Sequence, residues 1–193
     1  MSENFKEISL LNSNSSYIFS GNPSNRIGTI ENLENIEKIS FDFSKNLAQI
    51  LYSSKDFYEG QISPNFNREG LGFYRFSTGA SYKGDFKANE FEGFGVFAYK
   101  NGEIYEGSFK SGLKHGFGRY IYSESLEFHG YFDQDLQSGP GVIKDKKNRS
   151  EFYGNWNHGF KEGLGIYSKD SGIFELVYIK NELKSLKKIS KSS

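Results

Sequence analysis

Cysteine and histidine, two residue types that commonly catalyse reactions and bind metals, are scarce in this chain. The sequence has no cysteine, so disulfides and thiolate chemistry are excluded. It has three histidines, His115, His129 and His158, whose spacings of 14 and 29 residues match no metal-ligand pattern. All three are interpreted as solvent-facing residues of turns and strands. Neither a metal nor a cofactor is therefore predicted.

Five Gly-x-Gly tripeptides are the next candidates, because glycine-rich loops can hold phosphate groups. Each one is followed by strand-like sequence rather than by a helix, which argues against a phosphate-binding loop. A glutamate precedes three of them, at Glu69, Glu92 and Glu162. Because these carboxylates recur together with the glycines, we assign them to turns rather than to general acid–base catalysis. The chain is therefore predicted not to be an enzyme.

The overall composition narrows the remaining function classes. Basic and acidic residues balance at 24 each, which disfavours nucleic-acid binding because such proteins usually carry a basic excess. No segment approaches the roughly 20 consecutive apolar residues of a membrane-spanning helix. The N-terminal segment lacks the basic and apolar regions of a signal peptide, so a cytoplasmic location is predicted.

A repeat of 23 to 24 residues dominates the sequence. An aromatic-x-Gly tripeptide recurs, and its leading aromatics are Tyr58, Tyr82, Tyr105, Phe128 and Phe152. Four residues after the leading aromatics stand Ile62, Phe86, Phe109, Phe132 and Trp156. The Gly-x-Gly tripeptides follow in the same register and begin at Gly70, Gly93, Gly116, Gly139 and Gly163. Three features that recur together five times indicate a structural repeat.

Each repeat has the pattern of a β-hairpin. In the third repeat, alternation places Tyr105, Gly107 and Phe109 on one face of the first strand. Gly112 can supply the positive φ of the turn, and the return strand begins at the next Gly-x-Gly. Because a glycine in a strand lets other groups approach the backbone closely, we expect stacked hairpins to bury their rings against one another.

The pattern Tyr-x-Gly-x-aromatic followed by Gly-x-Gly-x-aromatic resembles the MORN (membrane occupation and recognition nexus) repeat family. The third repeat, YEGSFKSGLKHGFGRYIY, is the most similar. The resemblance implies an elongated antiparallel sheet with a groove lined by aromatic side chains. The predicted fold is accordingly all-β, an elongated single-layer antiparallel sheet of about five to six stacked β-hairpin repeats with an N-terminal capping segment.

The repeat pattern divides the chain into three parts. Residues 1–57 are predicted to form an N-terminal cap, loose to about residue 30 and then a degenerate hairpin of strands 37–43 and 47–52. The array is assigned to residues 58–183, with repeats at 58–81, 82–104, 105–127, 128–151 and 152–173 and a half repeat at 174–183. Residues 184–193 form a basic tail, which is interpreted either as a solvated terminus or as a short helix.

Binding of a partner protein is the predicted function. Faces of stacked repeats commonly bind extended segments or helices, and aromatic residues are enriched where binding energy concentrates. We therefore predict a non-catalytic scaffold, and the resemblance implies a cytoskeletal, ciliary or membrane-apposed assembly, with a myosin-type partner in some cases. The candidate anchors, which must also form the core of the array, are Tyr82, Phe86, Tyr99, Tyr105, Phe109, Tyr120 and Tyr122.

Three other interpretations remain open at this stage. A phospholipid-binding module would use the basic tail, through Lys184, Lys187, Lys188 and Lys191, for a weak contact with an anionic membrane. A glycan-binding aromatic repeat is disfavoured by the single tryptophan and by the lack of a secretion signal. A homodimer would cover an open sheet edge.

Overall fold

The computed structural model describes residues 18–22, 27–33, 35–42 and 45–190, with side chains from residue 35 onward. These ranges contain sixteen β-strands and no helix. The same ranges contain no helix with the length and apolarity that crossing a membrane would require.

The chain divides into two compact units, and the first is Met1–Asn89. Each strand of this unit pairs antiparallel with the next strand along the chain. Its strands are β1 (Ile18–Asn22), β2 (Ile27–Leu33), β3 (Ile36–Asp42), β4 (Leu47–Tyr52), β5 (Phe57–Ile62), β6 (Arg68–Arg75) and β7 (Ser81–Lys87).

The second unit, Glu90–Ser193, has the same sequential antiparallel order. Its strands are β8 (Glu90–Ala98), β9 (Ile104–Lys110), β10 (Leu113–Ile121), β11 (Leu126–Asp133), β12 (Leu136–Asp145), β13 (Ser150–Asn157), β14 (Phe160–Lys169), β15 (Gly172–Ile179) and β16 (Glu182–Ser190). The predicted all-β fold of antiparallel hairpins is thereby confirmed, whereas the number of repeats and the cap stay predictions.

One turn position keeps the same backbone geometry along the chain. It is occupied by Asn89, Gly112, Asp135, Gly159 and Asn181, with φ of 72°, 80°, 71°, 83° and 66°. The N–H of each of these residues donates to a carbonyl about 20 residues earlier, at 2.8–3.1 Å. Asparagine and aspartate tolerate the left-handed region, so the turn is the same at the three of these five positions that lack glycine.

The leading aromatics form the centre of the core by lying on glycines. A Cβ added to Gly118 would stand 2.5 Å from Cε2 of Tyr105, and one added to Gly107 would stand 2.5 Å from its hydroxyl. That hydroxyl donates to the carbonyl of Ser108 at 3.0 Å, which fixes the ring along its own strand. Tyr105 has no solvent exposure as a result.

The aromatic residue four positions after a leading aromatic, such as Phe109 or Phe132, packs neighbouring hairpins against each other. The ring of Tyr105 meets Phe109 edge-on at 5.1 Å in its own repeat and Phe132 at 5.0 Å in the next. Phe128 makes the same two contacts with Phe132 at 5.4 Å and with Trp156 at 4.9 Å. Edge-to-face pairs of this kind add about 0.5–1.5 kcal/mol each beyond the burial of their surface.

The N-terminal region extends the sheet of the first unit. β3 and β4 pair as a hairpin, with Ile39 and Ile50 opposite each other and buried. β1 and β2 continue this sheet, so residues 18–22 and 27–30 are paired strands where the sequence predicted a loose segment. The open edge of β3 offers backbone donors and acceptors, so a segment without the repeat motif can still pair there. Residues 1–17 lie outside the described residues.

The C-terminal lysine-rich segment is a strand rather than a helix. β16 pairs with β15 through Leu186 opposite Leu176 and Leu183 opposite Tyr178. The turn between them is made by Lys180 and Asn181, both at positive φ. The spacing of Leu183 and Leu186 suggests a helical face, but the unpaired edge of β15 provides a hydrogen-bonding partner that favours an extended chain.

Candidate partner-binding face

Four of the seven predicted anchors are covered by the protein itself. Tyr82, Phe86, Tyr105 and Phe109 are buried, and each makes ring contacts within its own unit. Burial raises the pKa of the Tyr105 hydroxyl well above its usual range, because the charged form would lose its hydration. Their position in the core leaves little surface for a partner.

The other three predicted anchors form a connected row at the margin of the same face. The rings of Tyr99 and Tyr120 lie 5.8 Å apart, and those of Tyr120 and Tyr122 lie 4.6 Å apart. The Tyr120 hydroxyl donates to Glu103 at 2.7 Å, and burial with this hydrogen bond raises its pKa. Tyr122 is exposed and its hydroxyl accepts a hydrogen bond from Gln137 at 2.9 Å. Tyr99 and Tyr120 are half-buried, so part of each ring is accessible, and the role of the three rings in binding stays a prediction.

The opposite face of the second unit carries an exposed apolar row that the repeat analysis did not single out. The middle residue of each Gly-x-Gly points away from the glycine-lined core, because side chains alternate along a strand. Phe94, Phe117 and Leu164 are 62%, 56% and 56% exposed, and Pro140 is exposed as well. We call this face the reverse face.

Cross-strand partners complete the row on the reverse face. Phe94 stands opposite Ser108, Phe117 opposite Tyr131, Pro140 opposite Asn155 and Leu164 opposite Val177. We define these eight residues as the reverse-face row. The Phe117 and Tyr131 rings meet edge-on at 5.5 Å. Because neighbouring strands lie about 4.8 Å apart, equivalent members of the row recur about every 9.6 Å.

A charged cluster borders the row two residues further along the strands. Arg119 donates to Oε2 of Glu127 at 2.9 Å through Nε, and Nη1 of Arg119 lies 3.3 Å from Glu106. Nε2 of His129 lies 3.2 Å from the other oxygen of Glu127. Burial opposes ionisation of Glu127, but the hydrogen bonds from Arg119, together with the proximity of His129, outweigh it and lower the pKa of Glu127 to about 2.

The sequence contained a signal for the reverse-face row. An apolar residue enclosed by two strand glycines cannot share the glycine face, so alternation assigns it to the other face. In a soluble sheet that face is normally polar, and phenylalanine between two glycines is an exception that indicates binding. The five apolar residues at this position are Leu71, Phe94, Phe117, Pro140 and Leu164.

The tail lysines do not form one basic patch. Lys188 lies on the aromatic face opposite Phe174 and donates to the carbonyl of Ser171 at 2.7 Å. Lys187 stands opposite Glu175 on the other face, and Lys184 pairs with Glu182. Lys191 lies outside the described residues. Phospholipid binding, a myosin-type partner and a homodimer stay predictions.

The described part of the chain contains no group of three or more metal-ligating side chains. Nδ1 of His115 lies 3.2 Å from Asp133, and His129 belongs to the charged cluster around Glu127. Each of these two histidines therefore has an acidic neighbour of its own.

These features define a β-hairpin repeat protein whose core consists of aromatic rings packed on strand glycines. The sequence profile of the MORN repeat matches residues 82–104, 105–125 and 152–173. The chain therefore contains MORN repeats, as its aromatic and glycine pattern predicts. No curated protein matches the sequence.

Two solved structures are similar to this chain at low identity, and one of them shares its fold. One is the TCP domain of SAS-4 (dCPAP) from Drosophila melanogaster, in complex with a proline-rich motif of Ana2 (dSTIL). It is 14% identical, with 85% of this chain and 90% of that chain covered and a TM-score of 0.54. Another is the TCP10 domain of Danio rerio CPAP with a STIL peptide, which is 10% identical, with 90% and 100% covered and a TM-score of 0.35. The likeness to the fly domain is one of fold.

Proposed function

We propose that this protein is a non-catalytic scaffold whose reverse-face row binds an extended segment of a partner protein. The observation that carries the proposal is the exposure of Phe94, Phe117 and Leu164 at equivalent positions of successive repeats. A partner that buries one of these exposed side chains would gain about 1.5–3 kcal/mol of hydrophobic free energy. A row of them is the kind of surface on which binding energy concentrates.

The spacing of the row favours a polyproline II helix as the bound conformation. Such a helix has three residues per turn and rises about 3.1 Å per residue, so its side chains recur on one side about every 9.3 Å. The row repeats about every 9.6 Å across the strands. A proline-rich segment that crosses the strands would therefore place every third residue at an equivalent site of the next hairpin.

The surface shape of the reverse-face row is suited to binding proline rings. Ser108 is small and stands opposite Phe94, and the register of Gly107 with Gly118 brings Phe117 alongside. A proline could therefore pack over Ser108 between two phenylalanine rings. Tyr131 is 47% exposed and can donate its hydroxyl to a carbonyl of the bound segment, which a polyproline II helix leaves free.

A cytoskeletal or ciliary assembly is the setting we propose, as the MORN resemblance implies. The fly TCP domain, which has this fold, was solved with a proline-rich motif of Ana2. It offers a parallel for recognition of a proline-rich partner by a sheet of this kind. The partner of this chain is defined here by its chemistry, a segment with proline at every third position.

The test is a binding titration with a fluorescein-labelled peptide of five Pro-Leu-Ala triplets. We expect wild-type protein to bind it and Phe117→Ser to bind at least tenfold more weakly, because a central aromatic anchor is worth about 2 kcal/mol or more. Tyr122→Ser, an exposed ring on the aromatic face, is the matched control and should bind like wild type. Equal binding by wild type and Phe117→Ser would refute the proposal, as would loss of binding by the control.

A further inference from the structure

The aromatic face of the second unit contains an apolar trough near its C-terminal end. Its volume is about 350 Å³, and its lining includes Ile143, Phe152, Tyr167, Leu176 and Lys161. The space continues past Trp156 toward Tyr122. It lies on the face opposite the reverse-face row, so it is a separate surface.

The trough exists because the return strand of the fourth repeat lacks aromatic residues. At the end of β8, Phe97 stands opposite Tyr105, and its ring packs 4.6 Å from that of Tyr99, the next residue on the same face. The equivalent residues of β12, two repeats later, are Ile143 and Asp145, with Ile143 opposite Phe152. Two smaller side chains in place of two rings leave the trough open.

Lys114 and Lys161 occupy equivalent positions, two residues before a Gly-x-Gly, but only one of them is neutralised. The ammonium of Lys114 lies 3.2 Å from Oδ1 of Asp135 and donates to the hydroxyl of Tyr99 at 3.1 Å. The ammonium of Lys161 lies over the rings of Phe152 at 4.5 Å and Tyr178 at 5.2 Å. Within residues 35–42 and 45–190, no carboxylate lies within 4.0 Å of it.

The difference arises from a single turn residue. Asp135 accepts a hydrogen bond from the backbone N–H of Lys114 at 2.9 Å and also supplies the counter-charge. Asn181 accepts the same bond from Lys161 at 2.6 Å, but its amide is neutral. Burial without a compensating charge lowers the pKa of Lys161, which reflects the free-energy cost of its unpaired charge.

We propose that the trough binds an extended partner segment in which an acidic residue has large apolar neighbours at alternate positions, with its carboxylate on Lys161. Side chains at alternate positions of an extended chain point the same way, so one carboxylate and two apolar groups can enter together. The carboxylate would supply the interaction that Asp135 supplies to Lys114, and the apolar groups would cover Ile143 and Leu176.

The one acidic residue of the trough lining does not compete for this role. Asp145 accepts hydrogen bonds from the backbone N–H of Asn148 at 3.0 Å and from its side-chain amide at 2.6 Å. It stands opposite Leu126 and Ser150, at the end of the strands away from the Trp156–Lys161 pair. An incoming carboxylate therefore meets Lys161 at the other end of the trough.

The single tryptophan, Trp156, lines the continuation of the trough and reports on its occupancy. The probe is the blocked peptide Ac-Leu-Ser-Glu-Ser-Leu-NH2, titrated into the full chain with excitation of Trp156 fluorescence at a wavelength selective for tryptophan. We expect saturable binding, and binding about tenfold weaker when the glutamate of the peptide is replaced by glutamine, because a charge-assisted hydrogen bond is lost.

Two variants test the role of the unpaired ammonium. Asn181→Asp places an internal carboxylate beside Lys161, as Asp135 does for Lys114, and we expect it to abolish the preference for the acidic peptide while the fold is kept. Lys161→Met should abolish the preference as well, and the matched control Lys114→Met should retain it.

Three results would overturn the proposal. They are equal affinity for the acidic and the glutamine peptide, an unchanged preference in Asn181→Asp, and binding of oleate but not of the peptide in a Lys161-dependent way. The last result would assign the trough to a lipid carboxylate. None of these outcomes involves the reverse-face row, so failure here is distinct from failure of the proposed function.

Discussion

Placing a methyl group under the ring of Tyr105 is the most direct perturbation of the core. In Gly118→Ala the new Cβ would stand 2.5–2.6 Å from three atoms of the Tyr105 side chain, so the ring must leave its place on the glycines. The stability lost includes part of the hydrophobic free energy of burying Tyr105, which is about 1.5–3 kcal/mol for full burial. Weakened edge-to-face contacts with Phe109 and Phe132 add about 0.5–1.5 kcal/mol each. Partial relaxation recovers some of this, so we expect destabilisation by about 2–4 kcal/mol.

The assay is urea unfolding followed by circular dichroism and by Trp156 fluorescence. A matched control is Gly112→Asn, because a Cβ at Gly112 meets nothing within 4 Å and Asn89 adopts the same positive φ at the equivalent turn. We expect the control to change the free energy of unfolding by less than about 1 kcal/mol.

A double-mutant cycle isolates the contact between the glycine and the ring. In a Tyr105→Ala background the space above Gly118 is empty, so Gly118→Ala should cost much less than in the wild-type protein. A Gly118→Ala variant as stable as the wild-type protein would show that the ring of Tyr105 does not depend on a bare glycine beneath it. Additive effects of the two substitutions would show the same.

Three further predictions concern charge and packing in the second unit. Because Glu127 has a pKa lowered from 4.5 to about 2, its stabilisation, about 3 kcal/mol at most, is present above pH 4.5 and is lost as the pH falls toward 2. Urea midpoints measured from pH 2 to 7 should show this dependence, and Glu127→Gln, less stable at pH 7, should have a flatter profile. Asn181→Asp should raise the free energy of unfolding by about 0.5–1 kcal/mol through its pair with Lys161, and added salt should reduce the gain. Leu176→Ala removes a buried side chain from β15 and should cost about 2–4 kcal/mol in the same assay.

The core could be predicted from the sequence because its residues recur. Tyr105, Gly107 and Phe109 share a face by simple alternation, and the structure places the ring on the glycines as that pattern predicts. The accessible surface was harder to predict for a physical reason. The same aromatic pattern that indicates a binding face also has to supply the core, and the side chains of Tyr105 and Phe109 are buried in that core.

Features that depend on pairing partners could not be read from local sequence. β16 has a leucine spacing that fits a helix, but the edge of β15 is available and the segment pairs with it. Lys161 and Lys114 occupy equivalent positions in their repeats, and only the contact with Asn181 or Asp135 distinguishes them. Such contacts join residues about 20 positions apart, in the turn of the next repeat.

The spacing of the reverse-face row predicts that it binds a partner segment in steps of three residues. The most direct measurement compares the affinities of two peptides of equal length and composition, one with proline at every third position and one with proline at every fourth. Because only the first repeats about every 9.3 Å along a polyproline II helix, we expect it to bind about tenfold more tightly. This preference should disappear in Phe94→Ser and Phe117→Ser. Equal affinity for the two peptides, or a preference that survives both substitutions, would exclude this mode of binding.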